Sequence, residues 1–464
     1  MNTLKRNILF KGILTFSNYI IGFVTFPYIT RILGPSNFGL VNFAQNTVDY
    51  FLLFAAMGIN TIGTREIAAV KDDPVKRSHV YSSILGTNVF FTIITLAIFF
   101  ILVGIIPRFH EHKELFYIGS AKIVFSLFIV EWLFTGTENF RYITIRSLII
   151  RLIYVISVFL FIKSPEDYLL YFILTTGVVV INSIINFVYS RKFVSLIWKS
   201  FKKGQFIKSN IRLGIYSIMT SMYITFNVMY LGLVSSDTEV GYYSTAVKLY
   251  FVAVSLFSAF TAVMMPRMSA LRANNEKEQV QKYIIKSFRL IFLIASPIII
   301  ISEFFSTDII LLLSGYGYDP SVLPMRIIMP ALFLVWISQV LAFQTLIPLR
   351  KDNILLISSL IGGGLAILLN ILITPRLQAT GTAITLLSCE FAVTGFYMWY
   401  TVKKRIINFP DYSEWLKAVL FALPYIIICF VSQLVFEGWI AFSSALVFSA
   451  LYFYLLKPKE LISK

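Results

Sequence analysis

RKFVSLIWKSFKKGQFIKSNIR, residues 191–212, holds seven Lys and Arg residues and no acid. A long apolar run lies on either side of it, so it reads as a basic linker between two hydrophobic halves. Within each half, apolar runs alternate with short charged gaps. The runs are about 20 residues long, the length an α-helix needs to cross a hydrocarbon core of roughly 30 Å. That ladder decides the fold class: all-α integral membrane.

Composition agrees. Hydrophobic residues make up 58% of the 464-residue chain and charged residues 14%, with a mean hydropathy of +0.79. A chain this apolar cannot bury its hydrophobic surface against itself, which excludes an ordinary soluble domain. The net charge of +17 raises nucleic acid as a partner. That reading is set aside because the cations lie beside the apolar runs, where the positive-inside rule explains them. Cys389 and Cys429 both fall within apolar runs and read as small hydrophobes, not a disulfide. No small-residue cleavage site follows the first apolar run, which reads as a retained span.

The ladder predicts about fourteen transmembrane helices, with twelve possible. The expected limits are 12–33, 40–63, 81–106, 114–135, 145–162, 168–190, 212–235, 241–265, 287–313, 325–348, 354–374, 379–402, 416–435 and 438–456. About 30 cations fall in one set of loops, including Lys71, Arg77, Arg141, Arg146 and the 191–212 stretch, against about six in the other set. This asymmetry places both termini in the cytoplasm. A shift of 202 residues brings Gly39 onto Gly241, Ala44 onto Ala246 and Arg65 onto Arg267. Six spans per half make the halves parallel repeats, the organisation of a transporter. The expected domains are an N-lobe over 1–200, a C-lobe over 201–405 and a C-terminal helix pair over 406–464.

Charges inside spans are costly and so mark candidate functional sites. Asp49, Lys122, Glu131, Arg151, Lys248, Glu303 and Glu390 fall within or near spans, and Arg31 sits at an outer rim. Lys122 and Glu131 are expected on one span. Arg31 and Lys248 have the chemistry to hold an anion in a shielded cavity. Asp49 could orient those cations or take up a coupling ion, and Glu131 and Glu390 are further charge partners. Asn18, Tyr19, Asn46, Asn227, Tyr230 and Gln344 are candidate hydroxyl and amide contacts, with helix–helix contacts as the alternative. HEH at 110–112 has the composition of a metal site but lacks a third ligand in its short loop, so a wet interfacial loop is favoured. Pro27 is expected to break the first span near its outer end. No metal, nucleotide motif or catalytic triad is expected, nor any cofactor beyond a possible coupling H⁺ or Na⁺.

PYITRILGPSNFGLVNFA at 27–44, GINTIGTREIA at 58–68, EWLFTGTENFRYI at 131–143 and VGYYSTAVKL at 240–249 resemble polysaccharide exporters. The chain is similar to Wzx-type O-antigen flippases of the multidrug/oligosaccharidyl-lipid/polysaccharide exporter superfamily. That resemblance implies two six-helix lobes in a V around a central cavity, with an added C-terminal helix pair as in lipid II flippases. It implies transport rather than catalysis. An undecaprenyl-pyrophosphate-linked oligosaccharide would move from the cytoplasmic to the periplasmic leaflet of the bacterial inner membrane, with ion-gradient coupling. The lipid-linked oligosaccharide and the bilayer are the implied partners, together with other polysaccharide-assembly membrane proteins. Arg31 and Lys248 then fall at cavity cations, and Arg65, Glu66 and Arg267 at a cytoplasmic gate. A multidrug exporter of the same superfamily and a membrane-embedded sugar polymerase or acyltransferase are the alternatives.

Overall fold

A computed structural model describes residues 3–201, 206–222, 225–409 and 412–456, and it is helical with no strand among them. Eight described helices are long and apolar enough to cross a bilayer, and the bent pair Asp319–Ile328 with Ala331–Leu346 adds one more. Only 17% to 39% of the apolar windows of those eight helices is buried within the protein. The remaining apolar surface requires a hydrocarbon solvent, so the chain is a multi-pass membrane protein.

Helix lies on each of the expected apolar stretches, but several boundaries differ. Thr3–Ala56 is one helical segment of 54 residues broken at Gly34. Asp352–Lys403 has 52 residues and is broken at Gln378, and unbroken it would be about 78 Å long, more than two bilayer crossings. Each therefore comprises two helices joined at a kink. The first break is not at Pro27, which lies inside helix; it is at Gly34, with φ 70 and ψ 171, just before Pro35. That conformation is open to glycine and strained for other residues. The helix after Gly34 ends at Ala56, and Ile59–Ala69 starts afresh beyond Met57 and Gly58, both at positive φ.

The expected single span 114–135 is one span by length and hydropathy, Lys113–Gly136, with a turn inside it. Lys113–Ser126 ends before Val130, at φ 34, and Glu131–Gly136 follows it. Lys122 and Glu131 therefore share this span and lie on either side of its turn. The 191–212 linker is also more structured than a loop. It contains the helical turn Trp198–Phe201, and the helix Ile207–Ser221 begins within it. Arg77 pins this segment by donating to the Phe193 carbonyl from Nε (3.1 Å) and Nη2 (2.8 Å). Ser78 and Ser82 accept from the backbone N–H groups of Ser195 and Ile197.

Packing divides the chain into two compact units, Met1–Gly241 and Tyr242–Lys464. In the first, Ile207–Ser221 and Thr225–Val234 pack on Thr3–Ala56, which is why the division lies well after the basic linker. The quoted motifs provide close contacts there. A Cβ on Gly39 would overlap the Asp237 carbonyl oxygen, and one on Gly241 would overlap that of Pro35. Gly63 lies against the Trp132 ring, where a Cβ would come within 2.6 Å, and Gly136 against Thr64 and Ile67. Ile59, Ile67, Trp132, Leu133, Phe134 and Ile143 are buried in the same cluster. In the second unit, the C-terminal helices Tyr412–Val435 and Gly438–Leu456 pack against Lys277–Phe304, with Leu293, Phe421 and Tyr425 buried between them. Gln433 donates to the Phe304 carbonyl at 2.9 Å.

Gly34→Ala is expected to destabilise the protein by about 1–3 kcal/mol, because its Cβ meets open space and only the backbone conformation is penalised. Gly177→Ala, in open space inside a helix, should be neutral or stabilising by about 0.5–1 kcal/mol. Thermal unfolding of the detergent-purified variants checks both, and equal melting temperatures would contradict the assignment of the break.

Candidate functional site

Inside a bilayer an ionised side chain needs a partner, so the geometry of the intramembrane charges comes first. In the first unit Lys122 Nζ lies 3.0 Å from Asp49 Oδ1, the lysine side chain 5% exposed and the aspartate 40% exposed. The two sit on Lys113–Ser126 and Thr3–Ala56, helices that pack together. The ammonium is the buried member of the pair, and the carboxylate keeps an open side. Arg31 occupies the last turn before the Gly34 break and is exposed.

A second network surrounds Arg146. The charge asymmetry assigns Arg146 to a loop, and the structure corrects this: it is buried within Phe140–Phe161. Its Nη2 donates to Glu131 Oε1 at 2.5 Å and to Ser147 Oγ at 2.9 Å, while Nη1 donates to Asn186 Oδ1. Asn186 in turn donates to the Ile129 carbonyl, and Tyr142 donates its hydroxyl to Asn186 Oδ1 at 3.1 Å. The turn at Val130 thus supplies both a carboxylate and a free carbonyl to this cluster. A groove of about 480 Å³ opens beside it, lined by Tyr142, Ile145, Arg146, Ile149 and Tyr189 among others. The sequence signal for it was an Asn inside the apolar run 168–190 and an Arg at the edge of the neighbouring run.

In the second unit Lys248 is half-buried on Asp237–Ala273. Two residues on, about 200° around the helix, Tyr250 donates its hydroxyl to Glu390 Oε1 at 3.4 Å. Glu390 is 5% exposed. Further along Asp237–Ala273, Ser258 Oγ accepts from Gln339 Nε2 at 3.0 Å, and Thr261 donates to Gln339 Oε1. Gln344 lies in the π-helical turn Val340–Leu346 and accepts from Ser287 at 2.8 Å. Turns of that kind often mark functional positions in helices.

The remaining candidates make local contacts. Arg65 bonds its sequence neighbour Glu66 at 2.8 Å in an exposed pair. Arg267 donates to the Tyr283 hydroxyl and stacks on that ring at 4.2 Å. Asn46 donates to the Asn42 carbonyl of its own helix, and Asn227 is buried. Tyr230 packs on Phe226. The side chains of Asn18 and Tyr19 lie outside the described residues. The HEH stretch is drawn into an ion-pair cluster. Arg108 reaches Asp237 at 2.5 Å and Glu111 at 3.0 Å, with His112 3.8 Å from Asp237. Among the described residues no group of three or more His, Cys, Asp or Glu is arranged to hold a metal ion.

The buried member of a pair decides what its loss costs. Asp49→Asn should destabilise the protein by leaving the Lys122 ammonium buried and uncompensated, a penalty of up to about 3–5 kcal/mol for a fully buried pair and less here because Asp49 is partly open. Adding Lys122→Met should restore part of that stability. A double-mutant cycle in melting temperature tests this, and a double variant no more stable than Asp49→Asn would refute it.

Residues 4–272 match the family described as Polysaccharide biosynthesis protein. A protein of Escherichia coli (strain K12) named "Putative O-antigen transporter" is 26% identical over 417 residues, covering 88% of this chain and 100% of that one. Among solved structures, the lipid II flippase MurJ in an inward closed conformation superposes with a TM-score of 0.80 at 15% identity, covering 97% of this chain and 98% of that one. An inward-facing multidrug resistance MATE family transporter of the MOP superfamily gives 0.63 at 11% identity, over 84% of this chain and 98% of that one. The fold is the one these two transporters share.

Proposed function

The chain belongs to the polysaccharide biosynthesis protein family, and from that premise we propose that it is a flippase for lipid-linked oligosaccharide. The substrate is an undecaprenyl-pyrophosphate-linked repeat unit of O-antigen or a related polysaccharide. It passes from the cytoplasmic to the periplasmic leaflet of the bacterial inner membrane by alternating access. The observation that carries this reading is the match to an O-antigen transporter relative along most of the chain. The flippase fold is consistent with it.

The chemistry of the substrate suits the residues. A pyrophosphate headgroup enters a low-dielectric cavity only against fixed cations, since attraction between charges grows as the dielectric falls. Arg31 offers a planar fork of donors for phosphate oxygens and Lys248 a compact ammonium. The prenyl chain stays in the bilayer while the sugars meet part-exposed amides and hydroxyls such as Asn46 and Tyr230. Asp49 is the coupling residue in this reading: its exposed side accepts a proton or Na⁺, which would weaken its hold on Lys122. Glu131 and Glu390 are the other carboxylates available for coupling, and Arg65, Glu66 and Arg267 are the residues assigned to a cytoplasmic gate. The loop charge asymmetry orients both termini to the cytoplasm.

In a flippase-deficient strain, with labelled lipid-linked sugar followed across the membrane, Arg31→Ala and Lys248→Ala should each lower translocation about tenfold or more at equal protein level, a loss of about 1.4 kcal/mol or more. Lys248→Arg should retain more activity than Lys248→Ala. Parent-level translocation by both alanine variants would exclude the anion cradle. Rescue by export of organic cations instead of lipid-linked sugar would assign the chain to the multidrug branch. For orientation, Lys199→Cys, at an exposed position, should react with a membrane-impermeant thiol reagent only after the cells are opened. Labelling in intact cells would invert the topology.

A further inference from the structure

A cavity of about 520 Å³ lies at one end of the second unit, and six cations line it: Arg272, Lys277, Lys282, Lys286, Arg289 and Arg405. Three separate stretches contribute them. They are the end of Asp237–Ala273, the start of Lys277–Phe304 and the segment that follows Asp352–Lys403. Gln281 ties the third stretch to the second: its Oε1 accepts from Asn408 N at 3.0 Å and its Nε2 donates to the Asn408 carbonyl. Glu278 is the one acid among the described lining residues. The volume is within the range of small-molecule sites, roughly 300–1,000 Å³.

Charge repulsion makes this arrangement costly without a ligand. Lys282, Lys286 and Arg289 follow the i, i+4, i+7 rule and share one face of a helix, where like charges oppose one another. They stand in the first half of a 28-residue helix. Arg272, Lys286 and Arg289 are half-buried, and Arg272 Nε is shielded from solvent with no hydrogen-bond partner among the described residues. In the first unit three cations do pair with acids: Arg65 with Glu66, Lys71 with Glu138 and Lys76 with Asp73. Among the described residues no ion pair joins Arg272, Lys277, Lys282, Lys286 or Arg405 to an acid. The positive-inside rule calls for cations in a loop, and exposed residues satisfy it. It does not call for half-burying a guanidinium or for gathering three segments around one cavity.

We propose that this cavity is a binding site for a polyanionic phosphate group, a diphosphate or a comparable cluster of phosphate oxygens. Guanidinium forks at Arg272 and Arg405 and the ammonium groups of Lys282 and Lys286 supply the charge-assisted donors. The ligand is either free in solution or the headgroup of an anionic lipid. All its described lining belongs to the second unit, and the proposal does not depend on what the protein translocates.

The probe is inorganic pyrophosphate, titrated calorimetrically into the full-length protein in uncharged detergent at low ionic strength. A parallel arm compares nanodiscs of phosphatidylcholine alone with nanodiscs containing phosphatidylglycerol or cardiolipin, reading lipid retained by native mass spectrometry. Saturable pyrophosphate binding is expected, weakened about tenfold or more in Lys282→Ala/Lys286→Ala and by raised salt, and kept in Lys286→Arg. Arg405→Ala, an exposed position outside the helices, guards against a folding defect and should also weaken binding. Retention of anionic lipid that the same variants abolish, without pyrophosphate binding, assigns the ligand to the lipid source. Absence of saturable binding in both arms overturns the proposal, as does binding that the double variant and Arg405→Ala leave unchanged.

Discussion

A backbone amide in hydrocarbon has no water to bond, and the structure follows from that constraint. Every long apolar run closes its hydrogen bonds along its own axis as a helix. Polar side chains obey the same rule. Thr30, Thr47, Ser82, Thr87 and Thr385 each donate to a carbonyl four residues earlier, so a hydroxyl can be buried against apolar neighbours at little cost. At Gly34 the break falls at a residue that tolerates an unusual backbone, and at Val130 a neighbour takes up a released group. The carbonyl of Ile129, freed by the turn at Val130, is taken by Asn186.

Without a hydrophobic effect between helices in lipid, their association relies on close fit and on polar contacts. That places weight on the small residues of the family motifs. Gly39 and Gly241 are brought together at a point of backbone contact, and Gly63 admits the Trp132 indole. The GTREIA and EWLFTG stretches therefore have a packing role, through Gly63 on Trp132 and Gly136 on Thr64 and Ile67. The 202-residue correspondence of Gly39 with Gly241 has a physical counterpart as well: both positions require the absence of a side chain at the same contact.

Charge obeys a harder version of the same rule. Asp49 with Lys122 and Glu131 with Arg146 are neutralised across helix pairs, with Asn186 completing the second set. The six-cation cavity of the second unit is the counter-example, because its charge is balanced by one carboxylate among the described residues.

The amino-acid sequence by itself determined the solvent, the fold class, the expected number of apolar runs and the residues that resemble exporters. Run length is a one-dimensional quantity, and the bilayer converts it directly into helices. Partnership was beyond its reach. Lys122 lies 73 residues from Asp49 and Asn186 lies 40 from Arg146, and which side chains meet depends on how each helix is rotated about its axis. A linear pattern of charges does not contain that rotation. For this reason Arg146 read as a loop cation, and Lys122 was placed on one span with Glu131 but not beside Asp49. Tertiary packing made the first the centre of a buried network and the second the partner of Asp49, because only packing decides which helix face is presented to which neighbour.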